Sequence, residues 1–132
     1  MINKVLLVDD DPDEIELLQE AFTIANPLIV CHGAENGLTA INFLRSGEQL
    51  PDLIMLDINM PIMDGWEVLR YIRKHDRLKG IPVIVHTTSS NERDKKIAAE
   101  LGADRFLTKY DDYTSLKREV KNIVSKPEGL AK

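Results

Sequence analysis

Asp57 ends the apolar run Leu53-Ile54-Met55-Leu56, and Asp9-Asp10-Asp11 ends a second such run, Val5-Leu6-Leu7-Val8. A short apolar run closed by polar residues is the pattern of a buried strand, so each acid is placed at the rim of a core and held by a rigid element. In a parallel sheet both acidic ends lie on one edge. Carboxylates crowded there repel one another, so either some take up a proton or a hard cation compensates them; Mg²⁺ suits oxygen donors and keeps several of its waters. The expected ligands are the carboxylates of Asp10 and Asp57 and the backbone carbonyl of Asn59, with Asp9 holding a coordinated water. One oxygen of Asp57 is then left to attack a phosphoryl group and form an aspartyl phosphate.

Phosphoryl transfer needs positioning and charge compensation more than acid-base chemistry. Thr87 and Lys109, at or just past the ends of two further apolar runs, are suitable companions for the metal. Asn59 stands two positions after Asp57 and cannot protonate a leaving group as a carboxylic acid would, which argues against a general phosphohydrolase. Neither a G-x-G-x-x-G fingerprint nor a G-x-x-x-x-G-K-[ST] loop occurs, so nucleotide binding has no positive support.

The elements that position these residues follow from the alternation of short apolar runs with segments of helical period, the pattern of repeated strand-helix units around a parallel sheet. Strands are expected near 3–9, 28–34, 52–57, 81–87 and 104–108. Asp11, Pro12 and Glu14 give the first helix a cap, a first-turn proline and capping-box spacing, with Ile15, Leu18 and Phe22 on one face. The second helix starts at Asn36 and is expected to carry Leu38, Ile41 and Leu44 inward before Gly47 and Pro51. The third follows Asp64-Gly65 with Leu69 and Ile72 inward. Ser89 and Glu92 have capping-box spacing for a fourth, whose thin apolar face (Ile97, Ala98, Leu101) makes it the most loosely held. The last opens near Asp112, buries Leu116, Val120 and Ile123, and stops near Pro127, leaving Glu128 to Lys132 as a short tail.

At 132 residues, 43% hydrophobic and 30% charged, the chain fits one globular domain with a full core and no room for an output domain. The net charge of −5 opposes attraction to nucleic acid or an anionic membrane. A single cysteine, Cys31, no leader at Met1 and no apolar stretch of spanning length point to a reducing cytoplasm. Cys31, in an apolar run, reads as a small buried hydrophobe. His86, His32 and His75 have no ligand-spaced partner and read as packed or surface residues, and Trp66 as a packing residue. Lys95-Lys96, Tyr110 and Tyr113 suit a solvated face or a partner surface equally.

Four segments in order carry a resemblance: Val5 to Asp11, Asp57 to Gly65, Pro82 to Thr87, and Gly102-Ala103-Asp104 leading to Lys109. Together they resemble the receiver domain of two-component response regulators, the CheY-like fold, over nearly the whole chain. The resemblance implies an α/β fold with a five-stranded parallel sheet in the order 2-1-3-4-5 and five flanking helices, as a receiver domain over 1–127. It implies a single-domain response regulator phosphorylated on Asp57 by a sensor histidine kinase or a histidine phosphotransfer protein, with Mg²⁺. Signalling to a downstream protein target would run through the fourth helix, fifth strand and fifth helix, a face through which two copies could also pair. Such a protein is a phosphoacceptor and not an enzyme acting on outside substrates. The alternatives are a phosphorylation-independent adaptor and a Mg²⁺-dependent phosphohydrolase.

The resemblance also selects Thr87, rather than Thr88 or Ser89, as the residue that meets the phosphoryl group, and leaves Ser89 to modulate access of water. Phe106 takes the place of the family's switch aromatic; lacking a hydroxyl, it would couple to Thr87 by packing alone. The proline that the family commonly carries after the lysine is Tyr110 here. A cis peptide before a non-proline residue lies about 2.5 to 4 kcal/mol above trans, so the loop need not follow the family's geometry.

Overall fold

Five strands alternate with five helices in the computed structural model, which describes residues 1–47, 49–109 and 112–126. β1 (Lys4–Val8), β2 (Val30–Ala34), β3 (Leu53–Leu56), β4 (Val83–Thr87) and β5 (Arg105–Thr108) form one parallel sheet in the order β2-β1-β3-β4-β5, as the resemblance implies. Between and after them run α1 (Pro12–Ala25), α2 (Gly37–Ser46), α3 (Gly65–Lys74), α4 (Glu92–Glu100) and α5 (Tyr113–Ser125). The strands are slightly shorter than the apolar runs that mark them. β2 starts at Val30 because Asn26 folds the preceding residues into a turn, its side chain accepting from Leu28 N–H and its carbonyl from Ile29 N–H.

Alternation along each strand divides the core into layers. Val5, Leu7, Leu53, Met55 and Ile84 face α1 and α5, whereas Leu6, Val8, Ile54, Leu56 and Val83 face α2 and α3. A small third cluster, Ile58, Val85 and Ala98 with Trp66 and Phe106 against it, lies under α4. At the opposite edge from the acids, Arg73 of α3 ties the layers together. Its guanidinium donates to the carbonyls of Lys79, Ile81 and Gly102 and to Asp104 Oδ2, which also accepts from Val83 N–H.

Each helix starts on a polar side chain that accepts a backbone N–H of its first turn: Asp11, Asn36, Asp64, Asn91 and Asp112. Two expectations are corrected here. The cap of α4 is Asn91 and not Ser89, because Ser89 Oγ donates instead to Asp94 Oδ2 at 2.6 Å. Leu38 is 49% exposed and not inward. The buried stripe of α2 is Gly37, Ala40, Ile41 and Leu44, and at roughly 100° per residue Leu38 falls well off it. Only Ala98 of α4 is buried, which bears out its thin apolar face. The helix stop at Pro127, the tail 128–132 and the Lys109–Tyr110 peptide lie outside the described residues.

Two features of the fold carry measurable consequences. Ile62 adopts φ +70° with its side chain 85% exposed, and Met63 N–H closes onto the Pro61 carbonyl across it. A β-branched residue in left-handed backbone is strained by about 1 to 2 kcal/mol and here gains little packing in return. Ile62→Gly is therefore expected to raise unfolding stability by about 1 kcal/mol, read as a higher urea midpoint at unchanged slope.

His86, 3% exposed near the end of β4, has no hydrogen-bond partner on either ring nitrogen among the described residues. Burial, reinforced by the Lys109 ammonium, pushes its imidazole down to about 4 from an ordinary 6.5. Well above pH 6.5 the ring is neutral in both folded and unfolded chains and contributes no pH dependence. Between 6.5 and about 4 the unfolded chain takes up a proton that the folded one refuses, so stability falls as the pH falls. The loss approaches about 3 kcal/mol at the lower limit. His86→Leu should flatten this stretch of the curve in denaturant titrations at stepped pH; an unchanged slope would refute the assignment.

Candidate functional site

The carboxyl ends of β1 and β3 are hydrogen-bonded neighbours, and this alone brings the acids together: Asp9 N–H donates to Ala34 O and Asp57 N–H to Val8 O. Asp9 continues the Val5, Leu7 alternation, Asp57 the Leu53, Met55 alternation and His86 follows Ile84, so all three stand on the α1/α5 side of the sheet. Lys109 follows Leu107, which packs on the same side, and joins them from β5. Asp9 and Asp57 are buried and Asp10 is exposed, yet one oxygen from each of the three lies within 4.8 Å of the others.

Lys109 is the counter-charge. Its ammonium is 2.8 Å from Asp9 Oδ2 and 3.4 Å from Asp57 Oδ2. The remaining oxygens accept backbone donors, Asp9 Oδ1 from Asp11 N–H at 3.0 Å and Asp57 Oδ1 from Asn59 N–H at 3.3 Å. Burial raises the Asp9 carboxyl above its usual range, with the bond to Lys109 opposing it. Burial presses on Lys109 in the other direction, but the hydrogen bond to Asp9 and the charges of Asp57, Asp9 and Glu14 outweigh it and hold the ammonium up. Three carboxylates face one ammonium, leaving a net charge of two negatives in a part-buried, oxygen-lined site. That donor set fits a hard divalent cation.

Thr87 follows Val83 and Val85 onto the other side of the sheet and is fully buried. Its Oγ1 accepts long hydrogen bonds, 3.4 Å each, from Asn59 Nδ2 and Ser89 N–H. Thr108 Oγ1 of β5 donates to Ser89 O at 3.1 Å, so the loop after β4 is pinned to β5 and, through Ser89 Oγ, to Asp94 of α4. Phe106 is half-buried beside Val85 and Ala98. Trp66 packs in the same cluster. Gly65 explains how α3 reaches the site: a Cβ there would stand 2.4 Å from Asp57 O and 2.5 Å from Ile58 Cα, so only glycine lets the helix start directly over the Asp57 backbone.

The structure thus brings Asp9, Asp10, Asp57 and Lys109 into one cluster, joins Asn59 to it through Asp57 and Thr87 through Asn59, and leaves Phe106 in the neighbouring cluster with Val85 and Ala98. Cys31 sits apart, its thiol pushed up to about 11 by burial, and His32 stacks on Phe43, His75 on Tyr71. Tyr110 is outside the described residues, while Tyr113 packs toward the α1/α5 layer and Lys95 pairs with Glu92 on the surface. Two residues escaped the sequence reading. Asp94 was hidden as an ordinary helix acid. Glu14 was read as a capping-box partner, but Asp11 N–H goes to Asp9 instead, and Glu14 Oε2 is buried without a partner among the described residues. Its signal was the inward stripe: Glu14 lies four residues before the buried Leu18.

Comparison with known proteins agrees with this arrangement. The response regulator receiver domain family matches residues 5–121. The chain is 39% identical over 129 residues to response regulator Rcp1 of Synechocystis sp., covering 92% of this chain and 86% of that protein. It is 35% identical over 129 residues to chemotaxis protein CheY of Halobacterium salinarum, covering 95% and 99%. Among solved structures, the phosphorylated cyanobacterial phytochrome response regulator RcpA superposes with TM-score 0.88 at 34% identity, covering 96% of this chain and 94% of that one. The Mn²⁺-bound form of Rcp1 superposes with TM-score 0.78 at 36% identity, covering 93% and 92%. The family match across nearly the whole chain, with relatives of this identity and coverage, shows that the chain belongs to the receiver-domain family of response regulators.

Proposed function

We propose that this protein is a phosphorylation switch whose receiver domain, taken as residues 1–127, accepts a phosphoryl group on Asp57. The observation that carries the reading is the convergence of Asp9, Asp10 and Asp57 with Lys109 bridging the two buried acids. A divalent cation, Mg²⁺ by the hardness of the donors, would be held by Asp10, Asp57 and the backbone carbonyl of Asn59, with Asp9 holding one of its waters. When bound it supplies positive charge to the transferring phosphoryl oxygens. A carboxylate oxygen of Asp57 attacks phosphorus as the phosphorus–nitrogen bond of a donor phosphohistidine breaks and the imidazole leaves with the electron pair. Lys109 offers its ammonium to the phosphoryl oxygens, and Thr87 offers a hydroxyl from the other side of β4.

That RcpA is known in a phosphorylated form and Rcp1 in a Mn²⁺-bound form supports both halves of the reading. The donor is a sensor histidine kinase or a histidine phosphotransfer protein, and the recipient of the signal a downstream protein. The net charge of −5 and Asn59 after Asp57 weigh against nucleic acid partners and against turnover of outside phosphomonoesters. No described helix is long and apolar enough to cross a membrane. Thr87, Ser89, Thr108 and Phe106 link the site to β5 and, through Asp94 and Ala98, to α4, part of the α4, β5 and α5 surface through which the signal would leave and two copies could pair.

Incubated with Mg²⁺ and acetyl phosphate, the wild-type protein should gain one phosphoryl mass, and beryllofluoride should change its spectrum; Asp57→Asn should abolish both. A wild-type chain that stays unmodified with a competent donor and metal present would overturn the reading. Partner binding equal in wild type and Asp57→Ala would instead favour a phosphorylation-independent adaptor.

A further inference from the structure

Lys109 makes two demands on one ammonium. It neutralises Asp9 at 2.8 Å and Asp57 at 3.4 Å, the same oxygens whose charge a divalent cation would take up. A divalent cation bound among Asp9, Asp10 and Asp57 would draw on the same carboxylate charge and repel Lys109, so a further anionic neighbour would favour the ammonium's moving to it. The side chain of Lys109 is mostly buried, which makes a seat inside the protein the shorter path.

Glu14 is placed to provide it. It continues the inward stripe of α1 one turn before Leu18, on the layer that covers Asp9, Asp57, His86 and Lys109. Its Oε2 is buried and without a partner among the described residues, although a buried carboxylate oxygen ordinarily has one. The capping role that would have occupied it is not made, because Asp11 N–H is already taken by Asp9. Burial raises the Glu14 carboxyl, and among its charged neighbours Lys109 acts on it most strongly, ahead of Asp9, Asp11 and Asp57. His86, another buried group on this side without a partner among the described residues, has its imidazole pushed down by burial and does not compete for the carboxylate.

From this juxtaposition we infer that Glu14 is a positioning residue, the seat to which the Lys109 ammonium transfers when a divalent cation engages Asp9 and Asp57. The inference rests on the metal-dependent reading above. It assigns Glu14 no contact with metal or phosphoryl group; by holding Lys109 close but off Asp57, it leaves the acceptor oxygen open and the ammonium within reach of the incoming phosphoryl oxygens.

The test is Mg²⁺ binding to the unphosphorylated full chain by isothermal titration calorimetry, in wild type, Glu14→Gln, Lys109→Met and the double variant, with thermal unfolding of each as the folding check. Glu14→Gln should weaken Mg²⁺ roughly fivefold in the wild-type background, the scale of a part-buried charge-assisted bond. In the Lys109→Met background it should leave only the small, salt-screened effect of a lost distant charge. Glu14→Asp keeps the charge but withdraws the carboxylate by one methylene, and should behave like Glu14→Gln if contact with Lys109 matters. Equal effects of Glu14→Gln in both backgrounds, or a Glu14→Asp variant indistinguishable from wild type, would overturn the inference while leaving the switch reading intact. A wild-type chain that binds no Mg²⁺ would remove the reading and the inference together.

Discussion

The structure depends on one electrostatic constraint: two buried carboxylates, Asp9 and Asp57, share one ammonium at the end of a parallel sheet. Unit charges at about 4 Å interact with about 4 kcal/mol at an effective dielectric of about 20. Their mutual repulsion in this partly desolvated place is offset by Lys109, or would be by a cation in its stead. The sheet meets the constraint through register. β1 against β3 sets Asp9 beside Asp57, and β5 delivers Lys109 to the same side two residues after Leu107. A slip of one residue in β5 would turn Lys109 to the opposite layer and leave the acids uncompensated. The fold and the site are therefore specified by the same hydrogen-bond ladder.

The sheet also separates two kinds of work. Charges occupy the α1/α5 side: Asp9, Asp57, Lys109 and the inward Glu14. Neutral hydrogen bonds and packing occupy the other: Thr87 with Asn59 and Ser89, then Phe106 with Ile58, Val85 and Ala98. His86 and Thr87, consecutive on β4, point into the two compartments and are both buried. The neutrality of His86 follows from this arrangement, since a second cation behind Lys109 would be repelled by it and desolvated as well.

Much of this was legible in the residue order because the physics is local. An acid that closes a short apolar run marks a strand end, and a parallel sheet collects such ends on one edge, so Asp9, Asp10, Asp57, Thr87 and Lys109 could be named before any geometry was known. Asp11 could be named as a cap, and Asn36, Asp64 and Asp112 as places where helices start, since Asp and Asn accept first-turn N–H groups wherever a helix can start. The remainder depended on competition between alternatives of equal local merit. Ser89 and Asn91 are both good caps, and tertiary contact with Asp94 decided between them. Leu38 has the spacing of a core residue relative to Ile41, but the line of α2 over the sheet is set by Gly37 and Ala40. Glu14 satisfied a capping pattern that Asp9 had pre-empted. The left-handed backbone at Ile62 has no signal in a β-branched residue at all.

The weak hold on α4 gives the proposed switch its direction. A displacement of Thr87 toward a phosphoryl group on Asp57 must break its hydrogen bonds from Asn59 and Ser89, and at 3.4 Å these are among the longest in the site. Ser89 is fastened more firmly elsewhere, through its carbonyl to Thr108 and through its hydroxyl to Asp94. On the proposed reading, the strain of moving Thr87 would be passed along to β5 and the first turn of α4, to which Ser89 is fastened. α3 cannot take it up, because Gly65 sits directly on the Asp57 backbone and Arg73 anchors the far end. α4 buries only Ala98, so it has the least packing to lose. On the same reading Phe106, half-buried against Val85 and Ala98 with no hydroxyl to be satisfied, would respond by packing alone. A switch built this way needs only a small differential in packing between its two states, because the element it moves is bound by little else.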